Sequence, residues 1–462
     1  MLSTDVFRAR RERLLARVGG PILLLGNGVR ARNLPMNALP FRQDSTFLYF
    51  TGCDEPDAAA LIEEDGTTLF LPVPPPDDVL WHGPTPSLDD RREALGLDAV
   101  LPVERLEDRV GQRAPKTLAV ADPARNALGS RLAGRPLAYA REHGDPELVS
   151  AVIDLRRPKG PEEIAELRRA ARATAAAFNA VMSATHPGTH ERALASLFHG
   201  VLALHGCVPG YGTILTVHGE VLHSRGHVNP IEGGELLLLD GGGEVDTGYT
   251  VDVTRTWPTS GRFDARQRAV YEVVLESQLA AIAAVKPGVR YREVHDTACR
   301  VLARWLIDEG LLRCSVDEAL QTGAHGVFYP HGTGHHLGLD VHDLENFGDL
   351  PSYPPGQGRP SQFGTQNLRL DLPLERDWVV TIEPGIYFVP AILADQSLRE
   401  SLGDRVDWDK AQDWIGFGGI RIEDDVCVTD MDPEVLTSAI PKSVEAVEAL
   451  VGSGPTPEER LC

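Results

Sequence analysis

Residues 331–343 read His-Gly-Thr-Gly-His-His-Leu-Gly-Leu-Asp-Val-His-Asp, so His331, His335, His336 and His342 put four of the chain's 15 histidines within twelve residues. Core filling does not gather imidazoles in this way, because each buried ring must be dehydrated and given a partner. Metal binding or proton transfer does, since imidazole changes charge near neutral pH and is the commonest metal ligand. The glycines at 332 and 334 argue against a helix. No glutamate follows His331, so this is not the His-Glu-x-x-His helix of zinc proteases.

Outward from this segment, three apolar strands end in or contain an acid where a hydrophobic residue is expected. Asp240 closes Leu236-Leu-Leu-Leu, and Glu383 closes Val379-Val-Thr-Ile ahead of a Pro-Gly turn. Glu423 lies in Gly419-Ile-Arg-Ile-Glu-Asp-Asp-Val426, where a period of two sets Ile420 and Ile422 on one face and Arg421 and Glu423 on the other. Taken singly, each acid reads as a turn cap or a solvent-facing residue. Together with Asp252, in Tyr249-Thr-Val-Asp-Val-Thr-Arg-Thr256, they make a set of four carboxylates. If the four converge, each pair repels by roughly 4 kcal/mol at 4 Å and an effective dielectric near 20. That competes with a total stability of about 5–15 kcal/mol, so cations or protons must sit among them. Two divalent ions balance four negative charges, and oxygen-rich ligation with one or two imidazoles suits manganese, with zinc, cobalt or iron as alternatives. His223, upstream of Asp240, reads by itself as an ordinary polar residue.

The rest of the chain narrows the class. With 45 Lys+Arg against 67 Asp+Glu in 462 residues, the formal charge is −22, which argues against a nucleic-acid binder. Gly26-Asn-Gly28 and Gly241-Gly-Gly243 lack the spacing and the following helix of a dinucleotide fingerprint, and Gly-x-Ser-x-Gly is absent. The segment Met1 to Arg17 has no continuous apolar core, so it is expected to be neither a secretory signal nor a membrane anchor. Nothing elsewhere approaches the roughly 18 apolar residues of a spanning helix. Cys53, Cys207, Cys299, Cys314, Cys427 and Cys462 are scattered with no Cys-x-x-Cys pair, and a cytoplasmic location is expected.

Two domains are expected, residues 1–156 and 157–462, divided at Arg156-Arg-Pro-Lys-Gly-Pro161. The first reads as α/β, with strand-like pieces at Ile22–Leu25, Phe47–Phe50, Ala59–Glu63 and Thr67–Val73 after a charged opening helix. In the second, helices are expected over 162–184, 264–285 and 291–309, strands at Leu236–Asp240 and Val379–Glu383, and a long loop over 346–372.

This pattern resembles the pita-bread metallopeptidases, the family of methionine aminopeptidase, aminopeptidase P and prolidase (Xaa-Pro dipeptidase). Phe41-Arg-Gln-Asp-Ser-Thr-Phe-Leu-Tyr-Phe-Thr-Gly52 with Glu55-Pro56 is similar to the amino-terminal domain of aminopeptidase P and prolidase, which methionine aminopeptidases lack. The resemblance implies an α/β (α+β) fold: a separate α/β amino-terminal domain and a catalytic domain of two related halves around a curved antiparallel sheet. It implies two metals roughly 3.5–4 Å apart, with Asp240 on one, His335 and Glu383 on the other, and Asp252 and Glu423 bridging. A hydroxide between them would attack the scissile carbonyl while Glu383 manages its proton. His223 and His342 match substrate-contacting histidines, His331 supports them, and Arg421 orders the bridging glutamate and borders the substrate.

The twelve positions from Asp240 to Asp252, against eleven usual in the family, imply a bulge or a longer hairpin, and Asp246 is the nearby competitor for the role of Asp240. The long segments after Asp343 and over 389–416, together with Arg369 near the place where prolidases read a dipeptide's carboxylate, favour the dipeptidase, with aminopeptidase P the alternative. A noncatalytic binding protein on the same fold requires lost ligands, and none is lost. The resemblance also implies a homodimer or homotetramer in which the Trp81-His-Gly83 loop borders another subunit's active site.

Overall fold

The computed structural model describes residues 2–34, 36–224 and 226–461, so Met1 and Cys462 lie outside it. Two compact units form: one runs to Arg157 and takes in Leu344–Pro351, and the other comprises Pro158–Asp343 and the chain from Ser352 onward.

The first unit is built on a five-stranded sheet in the order Ala99–Pro102, Gly66–Leu71, Ala59–Glu63, Ile22–Leu25, Lys116–Thr117. Leu23, Leu25, Ala59, Leu61 and Phe70 pack from it onto Leu106, Val110 and Val120. Phe47–Phe50, expected as a strand, belongs instead to the helix Ser45–Thr51. Its ends decide the matter: the Asp44 carboxylate accepts from the Phe47 N–H at 2.9 Å, and Gly52 closes the helix in the left-handed conformation. Good caps outrank the strand preference of two phenylalanines and a tyrosine.

The second unit repeats one arrangement twice. Helices Pro161–Ser183 and Glu191–Leu204 pack together beside antiparallel strands Ile214–Thr216, Leu236–Asp240 and Thr254–Pro258, with Leu236–Asp240 central. Helices Ala265–Ala284 and Tyr291–Asp308 then pair beside Val379–Ile382, Asp424–Cys427 and Glu434–Val435. Tyr291, Val294 and Ala298 fall on one helical face and bury against Trp378, Val380, Ile382 and Val426. No helix of the described residues is long and apolar enough to cross a membrane.

Residues 419–426 form two strands, not one. Gly419–Arg421 pairs with Gly385–Tyr387, and Asp424–Cys427 pairs with Val379–Ile382. Glu423 lies in the break, its N–H donating to the Thr254 carbonyl of the other half at 3.0 Å. Both faces are covered, with Arg421 4% and Glu423 2% exposed, so alternation here does not separate core from solvent.

The expected longer hairpin follows Asp240. Asp240 pairs across the ladder with Thr254, and the excess chain leaves as an excursion in which Gly243–Glu244 pairs with Val208–Pro209. Gly242 is obligatory there, because a Cβ would lie 1.7 Å from the Val251 carbonyl oxygen. Asp246 sits exposed on this excursion in an ion pair with Arg169 and takes no part in the centre.

Candidate metal centre

The histidine-rich segment is an extended strap laid along Val379–Glu383. The His335 N–H donates to Thr381 Oγ1 at 3.1 Å, Thr381 N–H donates to the His335 carbonyl at 3.0 Å, and Glu383 N–H donates to the Thr333 carbonyl at 2.8 Å. Gly334 permits this contact, since a Cβ would meet the Thr381 carbonyl at 2.0 Å. His335 and Glu383, far apart in sequence, thereby face each other. The ladder between Leu236–Asp240 and Thr254–Pro258 supplies Asp240, the segment leading into its second strand supplies Asp252, and the break at residue 423 turns Glu423 toward them.

All five expected ligand residues come together. Donor atoms of His335, Glu383 and Glu423 lie within 4.8 Å of one another, as do those of Asp240, Asp252 and Glu423. His342 joins Asp252 and His335 within the same limit, its ring edge-on to that of His335 at 4.4 Å. His331 lies alongside, Nε2 on the Tyr387 hydroxyl at 2.8 Å and Nδ1 3.6 Å from Glu383. His336, the fourth histidine of the strap, points away and packs on Trp378. A cavity of about 620 Å³ opens over the group, and His223, His342, Arg359 and Arg369 line it.

Arg421 sits differently from the expectation. It reaches Asp240 Oδ2 through Nη2 at 2.6 Å and Thr254 Oγ1 through Nε at 3.0 Å. Thr254 in turn donates to Glu423 Oε2 at 2.7 Å. The guanidinium therefore touches Asp240 directly and Glu423 only through a hydroxyl.

Arg421 brings one positive charge to four clustered carboxylates. Burial, reinforced by the neighbouring acids, pushes Glu383 up to about 7, against the opposing fields of His335 and Arg421. The same burial and crowding by Asp252, Glu383 and Asp240 raise Glu423 well above the carboxylate range, and Asp240 is raised by burial despite Arg421. Burial alone would lower His335, but its bond to Asp252 and the charges of Asp252 and Glu383 raise it. His331 and His342 fall to about 3 and about 2, chiefly through lost hydration.

The Tyr211 hydroxyl makes the crowding concrete: it contacts Asp240 Oδ1 at 2.7 Å and, more closely, Asp252 Oδ1. One hydroxyl carries one hydrogen, so one of these contacts needs a proton on the carboxyl group. Donors held this close require protons or cations between them, which fits a divalent metal pair.

Several neighbours escaped the sequence reading. Thr254 was within reach of it, being two residues after Asp252 and so on the same strand face. Tyr211, Tyr387 and Arg359 carry no local signal, whereas Asp425, whose Oδ2 accepts the Asp252 N–H at 3.1 Å, lies two positions after Glu423 in the same run and was open to the same argument.

Known proteins similar to this chain are peptidases. The model of metallopeptidase family M24 matches residues 165–430, and that of the aminopeptidase P N-terminal domain matches residues 7–119. A probable Xaa-Pro aminopeptidase PEPP of Ajellomyces capsulatus is 33% identical, with 96% of each chain covered. The Xaa-Pro dipeptidase of Homo sapiens is 32% identical over 96% of this chain and 92% of its own. Among solved structures, Pseudomonas aeruginosa aminopeptidase PepP superposes with a TM-score of 0.80 at 30% identity, covering 97% of this chain and 98% of the other. Zn-substituted Escherichia coli aminopeptidase P in complex with product gives 0.78 at 30%, with the same coverage. The fold is thus the expected one, a pita-bread unit with a separate amino-terminal unit.

Proposed function

We propose, since the chain belongs to metallopeptidase family M24, that it removes the amino-terminal residue from peptides with proline in second position, as an Xaa-Pro aminopeptidase. The observation that carries the reading is the convergence of Asp240, Asp252, His335, Glu383 and Glu423 beneath one cavity. The relatives named Xaa-Pro aminopeptidase and the aminopeptidase P structures support longer peptides as substrates, which reverses the preference drawn from the loops and Arg369 alone.

Xaa-Pro dipeptidase is the second reading. Arg359 and Arg369 both line the cavity, and the human Xaa-Pro dipeptidase matches over nearly the whole chain. A guanidinium that meets a dipeptide's terminal carboxylate gains roughly 1.5–3 kcal/mol over one facing the neutral amide of a longer peptide.

In the assignment we favour, Asp240 would hold one ion, His335 and Glu383 would hold the other, and Asp252 and Glu423 would serve both. The carboxylate-rich set suits manganese, with zinc, cobalt or iron as alternatives. When bound, such ions polarise a peptide carbonyl and make water acidic enough to react at neutral pH. Glu383 takes the proton of the attacking water and hands it to the departing proline nitrogen. His342, neutral through lost hydration, and His223 donate to the substrate carbonyl as negative charge builds on its oxygen. Tyr387 fixes the ring of His331 beside Glu383.

A cytoplasmic homodimer or homotetramer belongs to the same proposal, and the five described cysteines are free thiols, as suits a reducing compartment. The deciding measurement compares kcat/KM for an Xaa-Pro dipeptide and an Xaa-Pro-Xaa tripeptide in manganese-supplemented buffer. Preference for the tripeptide is expected. A dipeptide preference of about tenfold or more that Arg369→Ala abolishes would replace this reading with the dipeptidase.

A further inference from the structure

A second group of ligand-type side chains lies in the same unit and lines no part of the cavity. His295 and Cys299 stand on the helix Tyr291–Asp308, and His325 on the short 3-10 turn Ala324–Val327. Four-residue spacing sets His295 and Cys299 on one helical face, and the turn brings His325 to them. Cys299 Sγ is 3.4 Å from His295 Nε2, and one ligand atom from each of the three residues lies within 4.8 Å of the others. All three are buried, at 1%, 0% and 2% exposure.

The remaining ring atoms orient the set. His295 Nδ1 is 2.9 Å from Thr333 Oγ1, and His325 Nδ1 is 2.9 Å from the Ala319 carbonyl oxygen. A carbonyl only accepts, so His325 Nδ1 carries the hydrogen and Nε2 is left as a bare lone pair. That Nε2 is buried with no hydrogen-bond partner, a condition that costs roughly 1–3 kcal/mol. A metal ion is the partner that satisfies a lone pair, a thiolate and a second imidazole together.

We propose that His295 Nε2, Cys299 Sγ and His325 Nε2 form a metal site separate from the carboxylate centre, selective for a thiophilic ion such as zinc. Thiolate and imidazole donors favour zinc over manganese, whereas the carboxylate set favours the harder ion, so the two sites take different metals. Loading exchanges the Cys299 thiol proton for the ion and releases it to solvent. The imidazoles are already neutral, since burial lowers both. Three protein donors leave the fourth tetrahedral position to a water. The site also anchors the strap: His295 holds the Thr333 side chain, and the Thr333 carbonyl accepts the Glu383 N–H.

The test loads the chelator-stripped full chain with cobalt(II). Only a thiolate ligand adds an intense near-ultraviolet charge-transfer band, and the carboxylate centre contains no sulfur, so the band is blind to that centre, its difference from Cys299→Ser separates this site from the other free thiols, and it is indifferent to which peptides the enzyme cleaves. Wild type should show the band and bind one ion more than Cys299→Ser, which should lack it. His325→Gln, a second variant in case the first fails to fold, should lose or shift the band. Wild type without the band overturns the proposal whatever the variants do, and so does a band that persists unchanged in either variant.

Discussion

Glu383→Gln in the metal-free protein tests the electrostatics of the centre most directly. Burial among Asp252 and Asp240 raises the Glu383 carboxyl from the ordinary 4.5 to about 7. Between those values the folded chain holds a proton that the unfolded chain has released, so this group's contribution to stability falls as pH rises through the window. At ~1.36 kcal/mol per pH unit, the gap corresponds to a loss on the order of 3 kcal/mol. His331 and His342 act in the opposite sense. Lowered to about 3 and about 2, they refuse protons that the unfolded chain takes up below about 6.5, so their contribution rises with pH up to that value.

The raw stability curve is a sum of these terms, and the difference between Glu383→Gln and wild type reports the carboxyl group together with its coupling to Glu423 and His335. Five of the six tryptophans, all but Trp81, lie in the second unit, so urea unfolding followed by tryptophan fluorescence reports on it. With chelator throughout, the variant should gain on the order of 3 kcal/mol over wild type between about pH 5 and about pH 7.5. A difference that stays flat across that range, or moves the other way, would refute the reasoning. Added manganese should reverse the trend for wild type, because ions and protons compete for the same oxygens.

Further outcomes follow from the same geometry. Glu423→Ala should bind fewer than two ions per chain by elemental analysis, and unchanged occupancy would end its assignment as a shared ligand. His223→Ala and His342→Ala should lose turnover by roughly a hundredfold or more at near-normal metal content, whereas His335→Ala should lose metal; equal metal loss in all three would make His342 a ligand, as its distance to Asp252 and His335 permits. Lys159 and Asp343 form a buried ion pair at 3.0 Å, so Lys159→Ala should lower stability in urea unfolding by removing the cation from a buried carboxylate that keeps the Asp340 N–H as a partner; an unchanged midpoint would refute this.

The proposed ligand residues were legible because each violates its local pattern. An aspartate after four leucines or a glutamate after Val-Val-Thr-Ile is costly to bury, and the pattern records where that cost is borne. The split of 419–426 was not legible, since both of its faces are buried and its pieces serve different partner strands. The helix at Ser45–Thr51 was hidden by aromatic residues that suit either state, although Asp44 and Gly52 marked its ends. Tyr211 sits between glycines, in no periodic element. His295 and Cys299 share a helical face through their four-residue spacing, but His325 joins them only because the chain folds back over the 26 residues that follow Cys299, a juxtaposition that no local spacing encodes.

The Phe388 N–H donates to the Gly418 carbonyl at 3.2 Å, directly beside the ladder in which Gly385–Tyr387 pairs with Gly419–Arg421. The intervening excursion therefore leaves and returns through a hydrogen-bonded neck. Closing a loop of doubled length at such a neck costs only about 0.6 kcal/mol more. An insertion at an exposed turn of residues 389–417, such as a purification tag or a binding module, thus leaves the backbone spacing of Glu383 and Glu423 to the strands on either side of the neck, whereas trimming would remove the buried Leu393, Val406 and Ala411 and the Trp414 ring stacked on Phe388.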